Sequence, residues 1–278
     1  MRPKEVLKQI EENIGLKSIQ RALAEQKLLS LYNQLSEIVP DIVHQYSSFN
    51  VNNEYLATKV RGMHAFQIDL VKEALKMIKD KANITIVDIG DSSGTHIQYI
   101  KNLYQDRKLR CLSLNLDNEA VKRIKGKGLE VICARAEDLT TLGINADVFL
   151  SFEMLEHLMN PNLFLQNLSE KTNCKVFVIT VPYLVQSRVG LHHIRQNQKK
   201  VVNPENTHIF ELSPSDWKLV FRHSGWKVEA ERIYLQYPRR SLFTPLLKNY
   251  WRSRDFEGFY GAILSRDKSL SELYNGWV

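Results

Sequence analysis

Two groups of residues have types and spacings that chemistry could use. The first is "VDIGDSSGTH", residues 87–96, where an apolar run reaches Asp88 and is followed by Gly90, two serines and Gly94. Glycines at such a turn let the backbone approach a ligand closely, and a following helix offers its unpaired N–H groups. The second is "FEMLEHL", in which Glu153, Glu156 and His157 stand at i, i+3 and i+4, with His208 downstream beside Phe210 and Glu211. Imidazole titrates near neutral pH, so His157 and His208 are candidate proton acceptors. Carboxylates and imidazoles together also suit Mg²⁺ or Mn²⁺. Each group has a plain structural reading beside the chemical one. The glycines could form an ordinary strand-to-helix turn, and His157 could be a helix-entry histidine bonded to backbone.

The elements that must position these residues change character along the chain. Residues 1 to about 80 contain no Val/Ile-rich run. Leu7, Ile10 and Ile14, then Leu23, Leu28, Leu31 and Leu35, recur at helical spacing until Pro40 ends the unit. A polar connector over 44–55 precedes an amphipathic helix over 65–80. From residue 84 strands alternate with helices: "ITIVDI", "CLSLNL", "LEVICA", "ADVFLSF" and "CKVFVITV" are strands, with helical segments between them. "SPSDWKLVFRHSG" is a helix with a capping-box start, and "WKVEAERIYL" and "FYGAILS" are strands around a basic, aromatic segment. This predicts an α/β fold, a doubly wound and mostly parallel sheet with a helical N-terminal extension. Ligands of such sheets bind at the carboxyl ends of the strands. Residues 1–80 are expected to form a cap or dimer contact, and 81–278 the ligand-binding, catalytic domain.

Composition sets wider bounds. The 278 residues carry a formal charge of +7, which favours anionic ligands but equally suits a solvated basic surface. Cys111, Cys133 and Cys174 show no CxxC spacing and read as reduced, mostly buried thiols of a cytoplasmic protein. The start "MRPKEVLKQIEEN" has no apolar signal region, and the most apolar stretch is broken by Pro182, so no membrane span is expected.

Taken in order, the motifs from about residue 84 to 266 resemble those of the class I S-adenosylmethionine-dependent methyltransferases. The match runs through Asp88, Gly90 and Gly94 after the first strand, then Glu153 to His157 with Pro161 after the fourth. It continues through Val181, Pro182 and Tyr183, and then His208, Phe210, Ser213, Gly225, Trp226 and Val228. The resemblance implies a Rossmann-like fold and S-adenosyl-L-methionine as cofactor. It implies cofactor contacts at Asp88, Gly90, Ser92, Gly94, Asn115, Leu116, Ala136, Glu137, Phe152 and Glu153. Three positions depart from the family pattern. Ser92 replaces the middle glycine. Asn115 replaces the ribose-gripping carboxylate, at a cost of about 1 kcal/mol, with Asp117 a possible substitute. Arg135 replaces the adenine-contacting aspartate, which leaves Glu137 for that role.

The reaction implied is methyl transfer to a hydroxyl of a small anionic acceptor, such as a sugar nucleotide or glycan precursor. His157 and His208 are the expected bases. The basic insertion over 184–206, with Arg188, His192, His193, Arg195, Lys199 and Lys200, is the expected lid, and Arg239, Arg240, Arg252 and Arg254 add positive charge nearby in sequence. No metal is expected, with Glu153 and Glu156 accepting hydrogen bonds from backbone or solvent. An alternative resemblance is to small-RNA 3′-terminal 2′-O-methyltransferases, in which Glu153, Glu156, His157 and His208 would hold a divalent metal. A third reading, a non-catalytic scaffold, rests on Ser92, Asn115 and Arg135. A homodimer through the N-terminal helices is also expected.

Overall fold

The computed structural model describes residues 3–46, 50–190, 207–254 and 256–274. Its main sheet has seven strands: β1 (Asn83–Ile89), β2 (Lys108–Asn115), β3 (Glu130–Cys133), β4 (Val148–Phe152), β5 (Val176–Pro182), β8 (Trp226–Leu235) and β9 (Gly258–Arg266). The order is β3-β2-β1-β4-β5-β9-β8. The first five strands pair in parallel, and β9 runs antiparallel to both its neighbours. β4 and β5 are buried along their whole length, which is why their sequences are continuous apolar runs rather than alternating ones.

Both faces of the sheet are covered. On one face Ile84, Ile86, Val148 and Val178 share a core with Phe66, Leu70 and Val71 of α3 (Glu54–Met77) and Ile97 and Ile100 of α4 (Thr95–Leu103). That core extends to Ile19 and Leu23 of α1 (Pro3–Glu25) and Leu35 of α2 (Leu29–Ile38), so residues 1–80 and the sheet bury apolar surface in common. On the other face Val87, Ile89, Phe177 and Ile179 pack with Phe164 and Leu165 of α6 (Pro161–Lys171) and Trp217 and Phe221 of α7 (Pro214–His223). The helix between β2 and β3 is α5 (Asn118–Gly126).

Two helices depart from the expectation. α3 begins at Glu54, about three turns before the helix start expected at residue 65 and inside the polar connector. Asn53 caps it by accepting the Leu56 N–H, and Thr58, Val60 and Met63 are buried despite the polar residues between them. The basic, aromatic segment forms α8 (Thr244–Arg254), whose Trp251 is buried and donates its indole N–H to Ser18 of α1.

A small ribbon completes the ligand end of the sheet. β6 (Arg188–Val189) pairs antiparallel with β7 (Phe210–Glu211), fixing the described ends of the basic insertion. His192, His193, Arg195, Lys199 and Lys200 of the expected lid lie outside the described residues. Among the described residues no helix is long and apolar enough to cross a membrane. Cys111 and Cys174 are buried, whereas Cys133 is exposed at the end of β3.

Candidate active site

β1 lies between β2 and β4, so the chain leaves it at the point where the strand order reverses. There the turn after Ile89 passes through the left-handed region twice, at Gly90 (φ +89°) and Gly94 (φ +77°). The two glycines serve different purposes. A Cβ on Gly90 would meet only the flexible Met154 side chain, at 3.1 Å from Cγ. A Cβ on Gly94 would meet Leu129 at 2.7 Å, so that glycine lets the loop pack on α5 and β3.

Beneath this loop is a buried polar cluster. Asp91 accepts from the Gly94 N–H and the Ser113 hydroxyl, both at 3.0 Å. Burial, and then the nearby Asp88 carboxylate, push its carboxyl up to about 6. His96 Nδ1 lies 3.0 Å from Asp88, and Nε2 lies 3.1 Å from the Gln67 carbonyl oxygen. Gln67 in turn donates from its amide nitrogen to Thr180 Oγ1. Both ring nitrogens therefore face oxygen atoms, which favours the protonated ring. Burial opposes that charge, but the hydrogen bond and charge of Asp88, with Asp91, hold the His96 pKa above its ordinary value. His64, edge-on to His96 with centroids 4.8 Å apart, is driven well below its usual range by burial and by His96.

The N-terminal region reaches this loop. Gln45 Oε1 accepts from Ser93 and Thr95 hydroxyls at 2.9 and 2.6 Å. Arg123 of α5 donates to the carbonyls of His44 and Tyr46. Lys127 donates to the Ser93 carbonyl. The polar character of 44–46 was visible in the sequence, but its partner was not, because 48 residues separate Gln45 from Ser93.

The expected cofactor residues fall into two sets. Asp88, Phe152 and Gly94 also make packing contacts of their own: Asp88 is buried on His96, Phe152 packs edge-on to His96 at 4.9 Å, and Gly94 packs on the α5 side. Gly90, Ser92, Asn115 and Leu116 lie around the loop and the end of β2, and Ala136 and Glu137 form a short 3₁₀ turn after β3. Asn115 has local work of its own. Its Nδ2 donates to the Asp91 carbonyl, and its Oδ1 accepts the Asp117 N–H. Asp117 caps α5 by accepting from the Glu119 N–H. Glu137 accepts from Arg135 at 3.1 Å. Glu153 adopts φ +52°, a left-handed conformation that costs a non-glycine residue energy and occurs preferentially at functional sites.

The second group of residues converges at the ends of β4 and the β6–β7 ribbon. Residues Leu155–His157 form a 3₁₀ turn, and the Ile209 N–H bonded to the Glu156 carbonyl carries His208 to it. One ligand atom from each of Glu156, His157 and His208 lies within 4.8 Å of the others. Glu153, three residues before Glu156, is not a member of that grouping. The two imidazoles meet edge to face, centroids 4.7 Å apart. His157 Nδ1 donates to the Thr207 carbonyl at 2.8 Å, which leaves Nε2, 3.9 Å from Glu156 Oε1, as the basic atom. His208 Nδ1 lies 3.3 Å from Glu211, whose pKa is lowered by His208 and Arg188 in spite of burial. Glu156 is fully buried, and neither carboxylate oxygen has a hydrogen-bond partner among the described residues. Burial raises its pKa against the pull of His157 and His208.

This topology is the Rossmann-like fold of the class I S-adenosylmethionine-dependent methyltransferases. Residues 87–172 match a family described as a methyltransferase domain. A search of curated protein sequences found no match. Among solved structures the fold is similar to coclaurine N-methyltransferase bound to N-methylheliamine and SAH, at 12% identity and TM-score 0.51, covering 95% of each chain. It is also similar to the cyclase SpnF, at 10% identity and TM-score 0.52, covering 89% of this chain and 97% of the other. A chain from the complex of the Haloferax volcanii Trm112 methyltransferase activator matches at 15% identity and TM-score 0.51, over 75% of this chain and 94% of its own. At these identities the likeness is one of fold.

Proposed function

We propose that this chain is an enzyme that transfers a methyl group from S-adenosylmethionine to a hydroxyl of a small anionic acceptor, such as a sugar nucleotide or glycan precursor. The observation that carries the reading is the left-handed turn at Gly90, placed at the strand-order reversal where this fold binds its ligand. Gly90, Ser92, Asn115, Leu116 and Glu137 would hold the cofactor, and nothing but a flexible methionine stands where a Cβ at Gly90 would project. Bound there, the cofactor supplies an already activated methyl group. The chain's own task is to orient the acceptor and take its proton. His157 Nε2 is the accepting atom, held in the right tautomer by the Thr207 carbonyl, and Glu211 orients His208 beside it. The net charge of +7 supports an anionic acceptor. Thiols without disulfides support a cytoplasmic setting. Val6, Ile10 and Ile14, exposed and spaced four apart on α1, support a homodimer contact through the N-terminal helices.

One observation favours a second reading of the same site. Glu156 is a buried carboxylate without hydrogen-bond partners beside two imidazoles, and the Nδ1 groups of His157 and His208 each face an oxygen acceptor. That outer support is usual for metal-ligating histidines. Glu156, His157 and His208 fit a divalent cation, which would supply a grip on acceptor hydroxyls, including the terminal ribose of an RNA. Transfer of labelled methyl groups separates the two readings. Without a metal, EDTA leaves the rate unchanged while His157→Gln lowers it by about 10²-fold or more. With one, EDTA abolishes transfer and Mn²⁺ or Mg²⁺ restores it. Full activity in His157→Gln would defeat both.

A further inference from the structure

Beside the paired histidines is a cleft of about 420 Å³, within the range of roughly 300–1,000 Å³ typical of small-molecule sites. Its walls include Tyr183 at the end of β5, Gln186 and Arg188 before and in β6, and Arg252, Phe256 and Glu257 between α8 and β9. Phe256 connects it to the histidines, because its ring stacks on His208 with centroids 5.3 Å apart and planes 17° from parallel.

The charges in this cleft are already balanced. Arg252 bonds Glu257 through Nε, and Glu257 also accepts from the Tyr237 hydroxyl. Arg188 bonds Glu211 through Nε. Glu257 and Glu211 are themselves buried, whereas the two arginine side chains remain 45% and 41% exposed. A guanidinium tied at its Nε edge is fixed in orientation and presents its terminal N–H groups as hydrogen-bond donors rather than as an uncompensated charge. A groove built for a phosphate backbone would instead keep its cations unneutralised. Fixed planar donors and a carboxylate, set beside two aromatic rings, match a ligand that has hydroxyls around its edge and C–H groups on its faces.

We infer that this cleft is the acceptor site and that it takes the hydroxyl-rich ring of a sugar. Any phosphate on the acceptor stays outside the cleft. The inference rests on the methyltransferase reading above and adds to it where the acceptor binds and which part of the acceptor is recognised. Phe256 and Tyr183 offer the apolar faces, Arg188, Arg252 and Gln186 the donors, and the Phe256–His208 stack brings one ring hydroxyl towards the histidine pair.

The test uses the full chain, S-adenosylmethionine labelled in its methyl group, and three separate acceptor pools. One holds UDP-glucose, UDP-N-acetylglucosamine, GDP-mannose and dTDP-rhamnose; one holds RNA oligonucleotides with free 3′ ends; one holds phenols and amines. Label is expected in the sugar pool alone. Phe256→Ala should raise KM for the labelled sugar at least tenfold, and Gln186→Ala, at an exposed position, should raise it severalfold. Binding of S-adenosylhomocysteine should change less than twofold in both variants. Label in RNA, phenols or amines, no label in sugars, or a Phe256→Ala variant that loses kcat at unchanged KM would overturn the inference. The last result would make Phe256 a support for His208 only. Loss of S-adenosylhomocysteine binding by the unaltered chain would instead strike the methyltransferase reading.

Discussion

His96 is held between two carboxylates under the glycine turn, and its protonation is linked to theirs. Asp91 titrates near 6 in the folded chain and near 3.8 when unfolded, because burial and Asp88 disfavour its charge. Between those values the folded chain keeps a proton that the unfolded chain has released. Stability from this group is therefore greatest in acid and falls as pH rises from about 4 to 6. His96, with its raised pKa, contributes in the same direction, through loss of stability as pH passes its folded value. His64 acts oppositely, losing stability as pH falls below its ordinary range. Lys127, whose charge also feels Asp91, completes the set. Asp91→Asn should gain on the unaltered chain by up to about 3 kcal/mol between pH 4 and pH 6, and hold that difference above. Urea unfolding at several pH values measures this, and a pH-independent difference would contradict it. The sequence displayed Asp88 and the glycines but not this cluster. His96 is the second residue of α4 and Gln67 lies on α3, and only the packed sheet brings them together.

α3 shows how an element can be partly visible. Its apolar stripe from Ala65 onward was legible, whereas its first turns, carrying Glu54, Lys59 and Arg61, were not. They are helical because Asn53 caps them and because Thr58, Val60 and Met63 face the core. Asn53 also donates to Glu12 of α1 at 3.2 Å. Asn53→Ala should cost about 1–2 kcal/mol of unfolding free energy, and Asn53→Ser should recover most of it by keeping the cap. Equal losses in the two variants would show that the cap is not what starts the helix. α8 was hidden for a different reason. Its arginines and aromatics break any clean stripe, and its position is set by Trp251 reaching Ser18, a partner 233 residues away.

At the scale of the whole molecule, alternation of strands and helices was enough to give the parallel sheet. Continuous apolar runs identify strands buried on both faces whatever the loops contain. The pairing of β8 and β9 as an antiparallel edge, and the shared core of residues 1–80 with the sheet, depend on contacts that no local pattern encodes. Nor does the fold choose the reaction, since a methyltransferase and a cyclase are both similar to this chain at TM-scores of 0.51 and 0.52. The reading depends on the loop binding its cofactor. Asn115, Ser92 and Arg135 depart from the residues expected there, and the space at Gly90 meets only the Met154 side chain. Gly90→Val is a poor probe, because φ +89° strains any side chain there. The direct measurement is calorimetric titration of the full, unaltered chain with S-adenosylhomocysteine. One site with a dissociation constant on the order of micromolar is the predicted result. No heat of binding at millimolar ligand would contradict it.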